Sequence, residues 1–374
     1  MTTTVLVLNS GSSSVKWAVI DADRGTRVAA GAVDQIGETG SATPDHAAAI
    51  AVILAELPAG RIDAVGHRIV HGGMRFSEAV LIDDAVIAAV QQLVPLAPLH
   101  NPAGLEGIQA ARAALPGIPQ VAVFDTAFHA TLPPAAYTYA IDTHVAQRFG
   151  VRRYGFHGTS YRFVSRVAAD FLGRPLDELR LVVLHLGNGA SAAAIAGGVS
   201  VDTSMGLTPL EGLVMGTRSG DIDPAVIPYL SRVAGMSVDD IDDLLNRRSG
   251  LLGLAGHGDL RETVSASERG SAHAALAIEV YVHRLRHYIG AYAAIMGGVD
   301  AIVFTGGVGE NSALIRSGAL ETFGFLGVHI DPEANAAVDQ NRRAISSSDS
   351  TVAVLVIPTD EELEIVRQVA DVIG

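Results

Sequence analysis

Of the 26 lysine and arginine residues in this 374-residue chain, a single one is lysine, Lys16. It ends the segment Asn9-Ser10-Gly11-Ser12-Ser13-Ser14-Val15-Lys16. A lysine-poor composition with one survivor at an arbitrary place is the plain alternative, but this survivor closes a Gly/Ser-rich loop. A compact ammonium on a flexible stem suits a moving phosphoryl group in a way that a planar guanidinium fork does not, so loop and lysine together point to a phosphate contact. Two arginines also stand among glycines: Arg68 in Gly66-His67-Arg68-Ile69-Val70-His71-Gly72-Gly73, and Arg218 in Met215-Gly216-Thr217-Arg218-Ser219-Gly220-Asp221. Loop arginines are commonly solvated or paired. Two in such settings, in a chain with phosphate-type turns, suggest a guanidinium clamp on oxyanions. Asp125 follows the apolar run Val121-Ala122-Val123-Phe124; the carboxyl end of a strand favours a catalytic acid, with helix capping as the alternative. His157, in Gly155-Phe156-His157-Gly158, and His185, ahead of Gly187-Asn188-Gly189, are the histidines in glycine contexts, and either could be structural. None of the His-x-x-x-His spacings has an adjacent acid, so no zinc site is expected.

The elements that must position these residues show one recurring pattern. An apolar run followed by a small-residue turn occurs at Val5–Leu8 before Asn9-Ser10-Gly11-Ser12, at Leu181–Leu186 before Gly187-Asn188-Gly189, and at Ala301–Phe304 before Thr305-Gly306-Gly307-Val308-Gly309-Glu310-Asn311. Such runs read as buried strands, and amides freed by glycine at strand ends are where phosphates bind. The first two turns run on into strand-like segments and read as hairpins. The third reads as a strand-to-helix turn, with Asn311-Ser312 capping a helix to about Phe323. Neither a Walker loop nor a Gly-x-Gly-x-x-Gly turn is present.

Further helices are expected from Asn101 to Ala114, Asp223 to Val233, Ser271 to Met296, Asp331 to Arg342, and Thr359 to the C-terminus. Thr359 and Glu362 have capping-box spacing, which gives Glu362 a structural task and leaves Glu361 free. The length suits two domains of mixed α/β structure. With 49% hydrophobic and 18% charged residues the chain is globular, and its net charge of -14 argues against nucleic-acid or anionic-membrane partners. Without cysteine there are no disulfides, thiol catalysis or thiolate ligands. No apolar run nears the ~20 residues of a membrane span, and the first residues lead into a strand rather than a signal peptide, so a soluble cytoplasmic protein is expected.

Taken in order, these motifs resemble the acetate and propionate kinase family. Leu96-Ala97-Pro98-Leu99-His100-Asn101-Pro102, Phe124-Asp125-Thr126-Ala127-Phe128-His129 and Arg153-Tyr154-Gly155-Phe156-His157-Gly158-Thr159-Ser160 add to those above, and the likeness spans nearly the whole chain. The resemblance implies the fold of acetate and sugar kinases, Hsp70 and actin: two duplicated ribonuclease-H-like α/β domains flanking a nucleotide cleft. The expected domains are 1–127 with 360–374, and 128–359 for nucleotide binding and dimerisation. The resemblance further implies reversible, Mg²⁺-dependent transfer between ATP and acetate giving ADP and acetyl phosphate, with Mn²⁺ as a substitute metal, in a cytoplasmic homodimer.

Residue by residue, the resemblance implies that Asn9 and Glu361 hold the metal. Ser12, Ser14, Lys16, His185, Leu186, Gly187, Asn188, Gly189, Asp259, Leu260, Arg261, Gly307, Val308, Gly309, Glu310 and Asn311 would bind nucleotide. Arg68 would hold the carboxylate, Asp125 would act as acid/base or orient acetate, and His157 and Arg218 would stabilise the transition state. Val70, Leu99, Phe156 and Pro209 would wall the methyl group. Such a transition state needs positioning and positive charge more than covalent help, so direct in-line transfer without a phosphoenzyme is expected. Three residues depart from the family pattern: Tyr161 stands where histidine is usual, Trp17 where a smaller aromatic is usual, and Asp360 where asparagine is common. Two rival readings are a propionate or other short-chain acyl kinase, since one methylene is worth only roughly 1–3 kcal/mol of discrimination, and a non-catalytic nucleotide sensor.

Overall fold

The computed structural model describes residues 3–38, 41, 43–57, 61–98 and 100–374. It divides into two compact units, one of residues 1–130, 156–163 and 360–374, the other of 131–155 and 164–359.

The first unit is built on a six-stranded sheet of β1 (Thr4–Ser10), β2 (Ser14–Asp21), β3 (Thr26–Asp34), β4 (Ala64–Ile69), β5 (Val80–Leu81) and β6 (Gln120–Phe124), ordered β3-β2-β1-β4-β6-β5. The second is built on β7 (Arg180–Leu186), β8 (Ala190–Ala196), β9 (Val199–Thr203), β10 (Ala301–Thr305), β11 (Arg343–Ala344) and β12 (Ala353–Val356), ordered β11-β12-β10-β7-β8-β9. Reading the second order backwards reproduces the first, strand for strand. In both sheets the first three strands form an antiparallel meander, two parallel strands follow, and a two-residue antiparallel strand closes the edge. The expected duplication is present, and it puts the turn after β1 and the turn after β7 at equivalent places.

The apolar runs explain the strands. Val5 to Leu8 and Leu181 to Leu186, His185 excepted, are essentially inaccessible to solvent, because each sheet is covered on both faces. In the first unit one face carries Leu6, Leu8, Val15, Trp17 and Val19 against Ile50, Ile53 and Ala111 of the helices His46–Glu56 and Asn101–Ala114. The other carries Val5, Val7, Ala18, Ile20, Ala64, Val121 and Val123 against Ile365, Val366 and Val369 of the C-terminal helix Glu361–Ile373. In the second unit the helix Ala272–Ile295 packs on β7 and β8, with Leu285, Ile289 and Tyr292 buried and Leu276 exposed. Among the described residues, no helix is long and apolar enough to cross a membrane.

Four expected helices differ. The one expected from Asp223 begins at Val226, after Ala225. The one expected from Asp331 to Arg342 covers only Pro332–Ala336, because Arg343 and Ala344 pair with Val356 and Leu355, and the chain must straighten to reach the sheet. The helix expected from Asn311 to Phe323 is Ala313–Leu320, capped by Ser312 alone, and Gly306–Asn311 is a short helix of its own. The C-terminal helix is capped by Asp360, whose carboxylate accepts from the Leu363 amide, so the Thr359–Glu362 capping box does not form.

Candidate active site

In the first unit the apolar face under the C-terminal helix turns polar at one end. Continuing the two-residue alternation past Val7 gives Asn9, past Gly66 gives Arg68, past Val123 gives Asp125, and back from Ala18 gives Lys16. Asn9 lies directly across from Lys16. The sheet thus presents an amide, an ammonium, a guanidinium and a carboxylate in a row at the N-terminal end of the helix that begins with Glu361.

Arg68 and Asp125 anchor this row. Arg68 Nε donates to both Asp125 oxygens at 3.0 and 3.1 Å, and Nη2 donates to Oδ2 at 2.7 Å. Glu361 stands 3.7 Å from Arg68 Nε, and the Thr159 hydroxyl donates to Asp125 Oδ1 at 3.3 Å. Asp125 is 2% exposed. Burial pushes its carboxyl above the ordinary value, against the opposing charge and hydrogen bonds of Arg68; Glu361 adds to the push and Thr159 resists it. Burial works against the Arg68 charge, but Asp125 and Glu361 outweigh it and hold the guanidinium above its usual range. Among the described residues, Arg68 Nη1 has no protein acceptor, so one edge of the fork remains available to a ligand.

The backbone around Asp125 is fixed from two sides. Its amide donates to Ile69 at 3.0 Å, and its carbonyl accepts from Gly158 at 2.9 Å. A Cβ on Gly158 would sit 2.3 Å from that carbonyl oxygen, so only glycine lets the two segments approach. His157, just before, has φ +59, a left-handed conformation rare for histidine; such strain concentrates at functional positions. Phe156 is buried with its ring edge-on to His71 at 5.5 Å, and Val70 is half-buried. Tyr161 is fully buried, edge-on to His129 at 5.5 Å, so this departure from the family pattern sits in an aromatic cluster. Trp17 is buried in the core, and Leu99 lies outside the described residues.

The oxygen donors Asn9 and Glu361 suit Mg²⁺, a hard cation that takes one or two carboxylates and leaves its remaining positions to water and phosphate. Among the described residues no group of three His, Cys, Asp or Glu could hold a metal ion. Glu362 is turned elsewhere, paired at 2.6 Å with Arg27.

The second unit holds a cavity of about 760 Å³, a size that suits a nucleotide. Gly187 and Asn188 from the β7–β8 turn, Asp259, Leu260 and Arg261 at the start of the helix Leu260–Glu268, and Gly307, Val308 and Asn311 all line it. These segments are far apart in sequence and the fold brings them together. His185, Leu186, Gly189, Gly309 and Glu310 are not among the residues that line it. Glu310 turns inward: one carboxylate oxygen accepts from the amides of Gly306 at 2.8 Å and Thr359 at 3.3 Å, which shapes the turn from within. Ser12, Ser14 and Lys16 belong to the first unit. Gly216, Leu251, Gly258, Val264, Ser265, Glu268, Tyr281 and Ser312 also line the cavity and were not legible as site residues. Gly258 adjoins Asp259, the one sequence signal for it; Tyr281 lies mid-helix and reads as core.

Arg218 lies in a loop whose backbone is tied to Gly250. At φ +61 a Cβ there would lie 2.2 Å from the Met215 carbonyl oxygen and 2.6 Å from that of Arg218, so glycine is required. The half-buried guanidinium reaches only Met215 Sδ, at 4.0 Å, and burial lowers its pKa. Among the described residues no carboxylate pairs with it. Pro209 is half-buried in the neighbouring loop of the same unit.

The chain matches the acetokinase family over residues 4–367. It is 56% identical over 386 residues to an acetate kinase of Leifsonia xyli, with 97% of each chain covered. The crystal structure of Porphyromonas gingivalis acetate kinase is 44% identical, with a TM-score of 0.95 and full coverage of both chains. A propionate kinase from Francisella tularensis is 40% identical, with a TM-score of 0.93 over 99% of this chain and 100% of that one. By sequence and by fold along its whole length, the chain belongs to the acetokinase family.

Proposed function

We propose that this protein is an acetate kinase, catalysing reversible phosphoryl transfer between ATP and acetate to give acetyl phosphate and ADP. The observation that carries this reading is Arg68, held by Asp125 along one edge and open to a ligand at Nη1. A guanidinium fork so presented matches a carboxylate, and the neighbouring Phe156 and Val70 offer apolar surface for a short acyl chain. In this reading Arg68 binds acetate and Asp125 orients Arg68.

The nucleotide occupies the cavity of the second unit, where the turn residues His185 to Gly189, the segment Asp259 to Arg261 and the helical turn Gly307 to Asn311 surround it. Ser12, Ser14 and Lys16 contribute phosphate contacts. Mg²⁺, held through Asn9 and Glu361, would neutralise phosphate charge when bound. In the loose transition state, charge develops on the three equatorial oxygens of the phosphoryl group. His157 and Arg218 are the groups that meet it. A guanidinium whose one contact is a thioether sulfur and not a carboxylate keeps its charge unspent, so its attraction is available as charge develops. Attack by the acetate oxygen is direct and in line, with no phosphoenzyme. We further propose that the domains are 1–127 with 360–374, and 128–359 for nucleotide binding and dimerisation, and that the enzyme works as a cytoplasmic homodimer.

A hydroxamate assay for acyl phosphate, run with ATP, Mg²⁺ and either acetate, propionate or butyrate, tests the proposal. Acetyl phosphate should form fastest. Faster propionyl phosphate formation would make the protein a propionate kinase, and ATP binding without any acyl phosphate would make it a nucleotide sensor.

A further inference from the structure

We propose that Lys16 is a site of acetylation by the enzyme's own product, and that this modification switches the enzyme off. The inference rests on the acetate kinase reading, because it needs acetyl phosphate as the acyl donor.

Acyl phosphates are activated acids, and a neutral amine displaces phosphate from them. A guanidinium cannot react in this way, since it stays protonated at any accessible pH. Of the chain's 26 lysine and arginine residues, all but one are therefore inert toward acetyl phosphate. The exception stands where the product is made. Lys16 is exposed on β2, directly across from Asn9 and on the sheet face that carries Arg68 and Asp125. Among the described residues it has no hydrogen-bond or ion-pair partner, so its amine is neither buried nor tied up. Its sequence neighbours Val15 and Trp17 are buried on the opposite face of the sheet, and Gly11 to Ser14 bring no bulky side chain.

The step balances without a further reagent. The Nζ lone pair attacks the acetyl carbonyl carbon, the bond from that carbon to the phosphate oxygen breaks, and inorganic phosphate leaves with the electron pair. One amine proton passes to solvent, and Nε-acetyllysine remains. The lysine loses its charge and two of its three donors, so a phosphate contact made through this ammonium is lost. A high ratio of acetyl phosphate to ATP would then silence the enzyme progressively, because the attacking form is the free amine and the modified form no longer binds phosphate well.

The purified full-length chain, incubated with added acetyl phosphate in the absence of nucleotide and then freed of it, provides the test. Intact mass and peptide mapping should find one acetyl group at Lys16, with fractional loss of kinase activity equal to fractional occupancy. ATP with Mg²⁺ should slow the modification. Whatever activity Lys16→Arg retains should not decline under the same treatment. Acetylation confined to the α-amino group, a fully acetylated Lys16 with undiminished activity, or an equal decline in Lys16→Arg would each overturn the proposal. Because acetyl phosphate is supplied, the acetylation arm reads out even if the protein makes none, so failure of the kinase reading is seen separately in the untreated enzyme.

Discussion

Arg68 gives Asp125 three hydrogen bonds, two from Nε and one from Nη2, and keeps Nη1 clear of every described protein acceptor. Arg68 lies on β4, and Asp125 directly follows β6, the parallel strand beside it. The pair is therefore held by the sheet itself and serves as a rigid fork rather than a neutralised salt bridge. Asp125→Ala would leave a largely buried guanidinium without its partner. We expect a loss of roughly 3–5 kcal/mol in stability, read by urea denaturation, with Asp125→Asn losing less because one acceptor oxygen remains. Wild-type stability in Asp125→Ala would mean that the pair is not the anchor.

Arg218 should behave in the opposite way. With no carboxylate partner to orphan, Arg218→Ala should change unfolding free energy by no more than about 1 kcal/mol, while kcat falls by roughly 10²–10³ with little change in the acetate KM. Steady-state kinetics beside thermal melts check both halves. A large drop in melting temperature would point to a structural task for this arginine.

Gly158→Ala tests positioning at a distance from the reacting groups. The new methyl would meet the Asp125 carbonyl oxygen at 2.3 Å and Phe128 Cβ at 2.8 Å. Neither neighbour can swing away, so the Asp125 segment must shift. Overpacking of this kind costs about 1–3 kcal/mol, and a displaced Arg68 fork should lower kcat/KM for acetate roughly 10²-fold. Retained acetate kinetics would show that the segment yields without moving the fork.

The adjacent acids Glu361 and Glu362 should separate cleanly. Glu361→Ala should raise the Mg²⁺ concentration for half-maximal activity by about tenfold or more. Glu362→Ala removes an exposed pair with Arg27 and should cost no more than about 1 kcal/mol of stability, with the Mg²⁺ response unchanged. Titrating Mg²⁺ in both variants decides the matter, and equal shifts would remove Glu361 from the metal site.

His67 sets an acid limit on stability. Burial lowers its pKa from 6.5 to about 4, partly opposed by its 2.8 Å hydrogen bond to Gln120. Between those values the unfolded chain binds a proton that the folded chain refuses. Its contribution is complete above pH 6.5 and is lost as pH falls toward 4. From pH 7 to 4.5 the wild type should lose about 2–3 kcal/mol more than His67→Gln, as measured by urea unfolding at each pH. Parallel losses in the two proteins would place the acid sensitivity elsewhere.

Much of the architecture was legible because it is local. Val5 to Leu8, Leu181 to Leu184 and Ala301 to Phe304 are apolar runs bounded by glycine-containing turns, and hydrophobicity with turn chemistry suffices to read them as strands. Asn101–Ala114 and Ala272–Ile295 carry their own start and stop signals. Where a remote partner competes, local reading failed. The helix after Pro332 stops at Ala336 because β12 claims Arg343 and Ala344, and buried Arg316 takes the Asn335 side chain and carbonyl. Asp360, not Thr359, caps the last helix, a choice between neighbours that only backbone geometry makes.

The candidate site divides along the same line. Motif order alone singled out Asn9, Lys16, Arg68, Asp125, His157, Arg218 and the glycine turns, because phosphate and carboxylate chemistry restricts residue type at each position. The tertiary structure decided which edge of Arg68 is open, that Glu310 braces its turn from within, that Glu362 pairs with Arg27, and that Gly216, Gly258 and Tyr281 share a cavity with Asn188 and Arg261. A side chain's type is written in the sequence. Its direction, its burial and the partner that consumes its hydrogen bonds are set by neighbours remote in sequence, 57 residues apart for Arg68 and Asp125 and 335 apart for Arg27 and Glu362.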